Sequence, residues 1–165
     1  MDRLILVRHG DAERDSATGD DFDRRLSSRG REESARMGET LAELGMIPDL
    51  ALVSGAVRTR ESWAAMSQAF PKAEARFEDP LYLAEAEVIR RLADTAGKSA
   101  RTVLVVGHNP GLQELAVRMM LEGGTSGGPV SRAQSGFPTG GAAVFLIDSA
   151  GRPHYDGLFY PRDRT

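Results

Sequence analysis

Short apolar runs alternate with helical periods along most of this chain, and that alternation constrains its fold more than any other feature. Residues 4–7 (LILV) and 102–106 (TVLVV) are β-rich runs bounded by polar residues, the pattern of strands covered on both faces. Residues 50–53 and 142–147 read the same way. Between them, Met37, Leu41 and Leu44 recur at i, i+4 and i+7, with Ser27 or Ser28 as the candidate cap and Gly45 and Pro48 as the stop. Trp63, Met66 and Phe70 predict a second helix, Val88, Leu92 and Ala96 a third, and Leu112, Leu115 and Met119 a fourth. Alternation of this kind implies right-handed crossovers, a largely parallel sheet and helices on both of its faces, an α/β fold. The stretch from Gly123 to Gly141, rich in Gly, Ser and Pro, reads as a loop before the last major strand.

At 165 residues and 41% hydrophobic, the chain fits one domain spanning residues 1–165 with one sizeable core. Its net charge of −3, with both signs interspersed, gives no basic footprint for nucleic acid and no polybasic membrane anchor. No run reaches the roughly 18 apolar residues of a membrane span, and the apolar start is too short for a signal peptide, so a cytoplasmic protein is expected. The absence of cysteine removes disulfides, cysteine zinc sites and thiolate nucleophiles. Chemistry is left to His, Asp, Glu, Ser or a metal.

In an open parallel sheet, ligands bind beyond the carboxyl ends of the strands. The first strand ends in Arg8-His9-Gly10, the second runs into Ser54-Gly55-Ala56-Val57-Arg58, and the strand from Thr102 ends in Gly107-His108-Asn109-Pro110-Gly111. All three ends belong on one edge of the sheet. Two arginines and two histidines meeting there make a small cationic pocket in an acidic protein, and arginine forks match phosphoryl oxygens in bidentate fashion. The composition predicts a phosphate-bearing substrate, with Gly10, Ser54 and Asn109 lining it. Arg58 and Asn109 stand near predicted helix starts, where backbone N–H groups add to the attraction for an anion.

Competing motifs are weaker. The glycine-rich segment 123–128 follows a helix rather than a strand and lacks the Gly-Lys-Ser/Thr ending of a phosphate loop. The arginines beside His9, Asp11 and His108 would repel a cation, so neither a metal nor a cofactor is expected. Ser54 lacks the Gly-x-Ser-x-Gly elbow of a serine hydrolase. His154 has no such neighbours and reads as a surface residue.

The segments LVRHGDA, RRLSSRGREESARMG, LVSGAVRTRES, VVGHNPGLQEL and FPTGGAAVF stand in the order and spacing of the histidine phosphatase superfamily. The chain's shortness resembles the SixA-type phosphohistidine phosphatases of that superfamily. The resemblance implies a phosphoglycerate mutase-like three-layer α/β/α sandwich with a mostly parallel central sheet. It also implies His9 as the nucleophile, with Arg8, Arg58 and His108 holding the phosphoryl group. His9 would have to be neutral and His108 protonated near pH 7, which the arginines favour for the first and an anionic ligand favours for the second.

Larger relatives carry a carboxylic acid that protonates an alkoxide leaving group, and the corresponding position here is the apolar Leu83. Glu85, Glu87 and Asp11 are the candidate replacements, although both glutamates also suit a solvated first helical turn. A phosphorylated imidazole leaves as a neutral ring, whereas an alkyl phosphate needs a general acid contributing about 100-fold or more. The weak acid position therefore favours a histidine-phosphorylated protein as substrate. A small-molecule phosphomonoesterase of the same fold, or a noncatalytic phosphate-binding module, is the alternative.

Overall fold

A computed structural model describes residues 1–161 of the chain. Its strands are β1 (Arg3–Arg8), β2 (Leu50–Ser54), β3 (Glu74–Glu78), β4 (Thr102–Gly107), β5 (Ala142–Ile147) and β6 (Pro153–Phe159). Its helices are α1 (Ser28–Glu43), α2 (Val57–Met66), α3 (Ala86–Ala96), α4 (Gly111–Glu122) and α5 (Gly128–Ser135). The six strands form one sheet in the order β3-β2-β4-β1-β5-β6. Pairings within β3-β2-β4-β1 are parallel, and β5 alone runs against its neighbours.

Period-2 alternation explains the three layers. Leu4, Leu6, Leu50, Leu52, Val103 and Val105 face one way and pack with Ile89, Ala93, Leu112, Leu115, Met119 and Val130 of α3, α4 and α5. Ile5, Val7, Ala51, Val53, Leu104 and Val106 face the other way, against Met37 and Leu41 of α1 and Trp63 and Met66 of α2. Both faces are covered, which is why the central strands read as unbroken apolar runs. Ser27 caps α1 by accepting the Gly30 N–H at 3.0 Å. Gly45, at φ 74°, terminates that helix in the left-handed conformation that glycine adopts at low cost.

Three sequence expectations need correction. The 123–141 stretch contains α5, whose Val130 and Ala133, with Phe137 beyond it, are buried in the core. Tertiary packing stabilises a helix there despite its Gly-, Ser- and Pro-rich composition. The edge strands β3 and β6 went unpredicted, because an edge strand needs no apolar run and tolerates the proline that opens β6. The second predicted helix stops at Met66, and a 3-10 turn, Ser67–Ala69, delivers Phe70 to the core. Among the described residues, no helix is long and apolar enough to cross a membrane.

Candidate active site

Register brings the predicted residues together. Arg8 pairs with Gly107 across β1 and β4, and Val53 pairs with Val106 across β2 and β4, so Ser54, Arg8 and Gly107 end their strands at one level. The next residues along β1 and β4 are His9 and His108, whose ring centroids lie 5.4 Å apart. Arg58, the second residue of α2, reaches both rings: its Nε stands 3.4 Å from His9 Nε2 and its Nη2 3.3 Å from His108 Nδ1. His9, Arg58 and His108 are all buried.

Hydrogen bonds assign the tautomers. His9 Nδ1–H donates to the Gly10 carbonyl at 2.7 Å, leaving the Nε2 lone pair toward Arg58. His108 Nε2–H donates to Ser54 Oγ at 2.8 Å, leaving Nδ1 toward the same guanidinium. Arg8 extends its Nη1 to the Phe137 carbonyl at 3.1 Å, which also accepts from Asn109 Nδ2 at 2.9 Å. Among the described residues the buried Arg8 Nε has no hydrogen-bond partner, a donor without an acceptor in a site rich in donors.

Burial dominates the electrostatics, with the arginines adding to it. Burial pushes His9 from its ordinary 6.5 down to about 4, and Arg58 and Arg8 reinforce the shift against the Gly10 hydrogen bond. Burial pushes His108 down to about 3, assisted by His9 and Arg58. His9 is therefore neutral at pH 7, the state that a nucleophilic role would require. His108 is neutral as well: burial, an arginine and a second histidine at close range disfavour protonation, so the expected charged ring calls for an anion to offset them.

The candidate proton donors stand apart from this cluster. Asp11 accepts from Ser27 Oγ at 2.7 Å and faces Arg29 at 3.6 Å, so its carboxylate is committed to the start of α1. Glu85 and Glu87 are solvent-exposed at the first turn of α3. His154 lies exposed on β6 with its Nε2 2.9 Å from Asp148.

Two neighbours of the cluster escaped sequence reasoning. Asp21, in the 3-10 turn Asp21–Asp23, meets Arg58 Nη2 at 3.0 Å and accepts the Tyr82 hydroxyl. Tyr82 places its ring edge-on to His108 at 5.4 Å. The Tyr82 bond leads the effects, with Arg24 and Arg58 adding to it, that hold Asp21 near 2, fully ionised. A buried arginine's need for a counter-charge was the one available signal, and the five aspartates between β1 and α1 gave no means of choosing among them.

Comparison with known proteins bears on the family and the fold. The family model of the histidine phosphatase superfamily (branch 1) matches residues 4–82. An uncharacterized chloroplastic protein of Arabidopsis thaliana is 33% identical over 124 residues, 69% of this chain and 57% of that protein, so the chain spans little more than half of that relative's length. A solved SixA structure from Agrobacterium tumefaciens superposes with a TM-score of 0.84 at 30% identity, over 97% of this chain and 98% of that one. The protein histidine phosphatase SixA complexed with tungstate shares the fold, with a TM-score of 0.79 at 22% identity over 99% of both chains.

Proposed function

The chain belongs to the histidine phosphatase superfamily, and from that premise we propose that this phosphatase removes phosphate from histidine-phosphorylated proteins by way of a phosphohistidine at His9. The observation that carries the reading is the His9 tautomer: Nδ1–H is tied to Gly10, so the lone pair is on Nε2, where it accepts a long 3.4 Å hydrogen bond from Arg58 Nε. Nε2 attacks phosphorus in line as the phosphorus–nitrogen bond to the substrate ring breaks. Arg8 and Arg58 neutralise the equatorial oxygens, and His108 joins them when the anion's charge draws a proton onto Nδ1. Gly10, Ser54 and Asn109 act from behind, fixing the two histidines and the Phe137 carbonyl that anchors Arg8. Water then attacks phospho-His9 and releases phosphate without help from a metal.

The placement of the carboxyls supports this substrate class over an alkyl phosphate. Asp21 is near Arg58 but ionised, and so has no proton to give. Asp11 is committed to α1, and Glu85 and Glu87 face solvent. An imidazole leaving group tolerates that arrangement because it departs neutral once protonated.

The test is phosphate release from a purified phosphohistidine-bearing protein in the presence of EDTA, with native enzyme beside His9→Ala and with an aryl and a sugar phosphate run in parallel. Release that requires His9, with slow sugar-phosphate turnover, is the expected result. Faster turnover of the sugar phosphate than of the protein would reassign the chain to small-molecule substrates. Phosphate binding without phosphorylation of His9 would make it a binding module.

A further inference from the structure

The Arg58 guanidinium has two hydrogen-bonding edges, and the structure uses them differently. The Nε/Nη2 edge faces the two histidines, at 3.4 Å from His9 Nε2 and 3.3 Å from His108 Nδ1. The Nη1/Nη2 edge faces a single residue: Nη1 donates to the Asp21 backbone carbonyl at 2.8 Å and Nη2 to the Asp21 carboxylate at 3.0 Å. A planar fork held along one edge has little freedom to rotate out of its plane or about its last bond.

Asp21 is itself held. Arg24 Nε donates to its Oδ1 at 2.9 Å, and the Tyr82 hydroxyl donates to its Oδ2. Tyr82 is in turn fixed edge-on between Phe22, at 4.9 Å, and the His108 ring. The clamp thus draws on the 3-10 turn before α1 and the segment after β3, which meet only in the folded protein.

We propose that Asp21 is a positioning residue that grips the outer edge of Arg58 and aims its inner edge between His9 and His108. The role rests on the phosphatase reading above, in which that inner edge receives the phosphoryl oxygens. Asp21 touches neither histidine by hydrogen bond, and its hydrogen bonds reach the pair through Arg58. Geometry carries this role more than charge does, because an asparagine at position 21 keeps the backbone carbonyl and a side-chain oxygen acceptor while removing the negative charge.

The decisive experiment pairs Asp21→Asn with Asp21→Ala and reads two things. One is the Arg58 Nη–H signals in nitrogen-15 NMR, which need no substrate; the other is kcat/KM on an aryl phosphate, with unfolding midpoints as a control. Separate Nη–H resonances are expected in native protein and Asp21→Asn, and their averaging in Asp21→Ala. In parallel, kcat/KM falls about tenfold or more in Asp21→Ala, the scale of a lost charged hydrogen bond, and returns to within about threefold in Asp21→Asn. Resolved Nη–H signals in Asp21→Ala, or equal activity losses in both variants, would overturn the proposal. Native enzyme inactive on every phosphate would count against the phosphatase reading, while the resonances still decide the role of Asp21. If Asp21→Ala does not fold, Tyr82→Phe replaces it: loosening of the carboxylate lowers kcat/KM by about threefold, and an unchanged Arg58 spectrum and rate overturn the clamp.

Discussion

Ser54 shows how one hydroxyl sets the chemistry of a residue it does not precede. Its Oγ is fully buried and accepts from His108 Nε2 at 2.8 Å, so the imidazole presents Nδ1, and not Nε2, to Arg58. Ser54→Ala would leave a buried ring N–H without an acceptor, at about 1–3 kcal/mol of unfolding free energy. It would also release the ring to its other tautomer, and loss of one oriented hydrogen bond of about 1 kcal/mol lowers kcat/KM roughly fivefold. Urea denaturation and aryl phosphate kinetics of the variant check both figures, and Ser54→Thr, which keeps the hydroxyl, is expected to recover the tautomer. A rate unchanged in Ser54→Ala would show that His108 orientation is set elsewhere.

At the scale of elements, the site depends on how closely the loop after β1 crosses the start of α1. A Cβ at Gly30 would lie 2.0 Å from the Asp11 carbonyl oxygen, and one at Gly10 would lie 2.3 Å from the Gly30 oxygen. Both are backbone contacts, which yield less than a side-chain end. Alanine is the better helix former by up to about 1 kcal/mol, yet Gly30→Ala is expected to destabilise by a net ~2 kcal/mol, since overpacking against fixed backbone outweighs propensity. Displacing Asp11 also displaces Gly10, the acceptor for His9, so activity falls with stability; denaturation midpoints and aryl phosphate turnover measure the two. The sequence made β1, β2, β4 and β5 legible because their burial on both faces leaves unbroken apolar runs. It also exposed Arg8, His9, Arg58 and His108, because each sits at or just beyond a strand end. β3, β6 and α5 left no such trace: the first two are edges and the third is stabilised by contacts far along the chain. Asp21 and Tyr82 were hidden for the same reason, since 61 residues separate them and only the fold brings them together.

For the whole molecule, burying two neutral histidines ties stability to pH. Folded His9 and His108 titrate at about 4 and about 3, against an ordinary 6.5 in the unfolded chain. Between those values the unfolded chain binds more protons on these two rings, so the sign is fixed: their contribution to the unfolding free energy is nearly level above pH 7 and falls as pH drops below 6.5. From pH 6.5 to 4.5 the two groups together remove on the order of 4 kcal/mol. Replacing the histidines isolates their part of the effect: His9→Ala and His108→Asn should each remove about half of it in urea denaturation at stepped pH. An equal fall in native protein and the double variant would mean that neither ring is held neutral by the fold. Inorganic phosphate should oppose the fall in native protein, because its charge favours protonated His108 and it binds only where Arg8 and Arg58 are assembled. The same desolvation that keeps His9 free to attack thus makes the acidic limit of stability sensitive to the ligand.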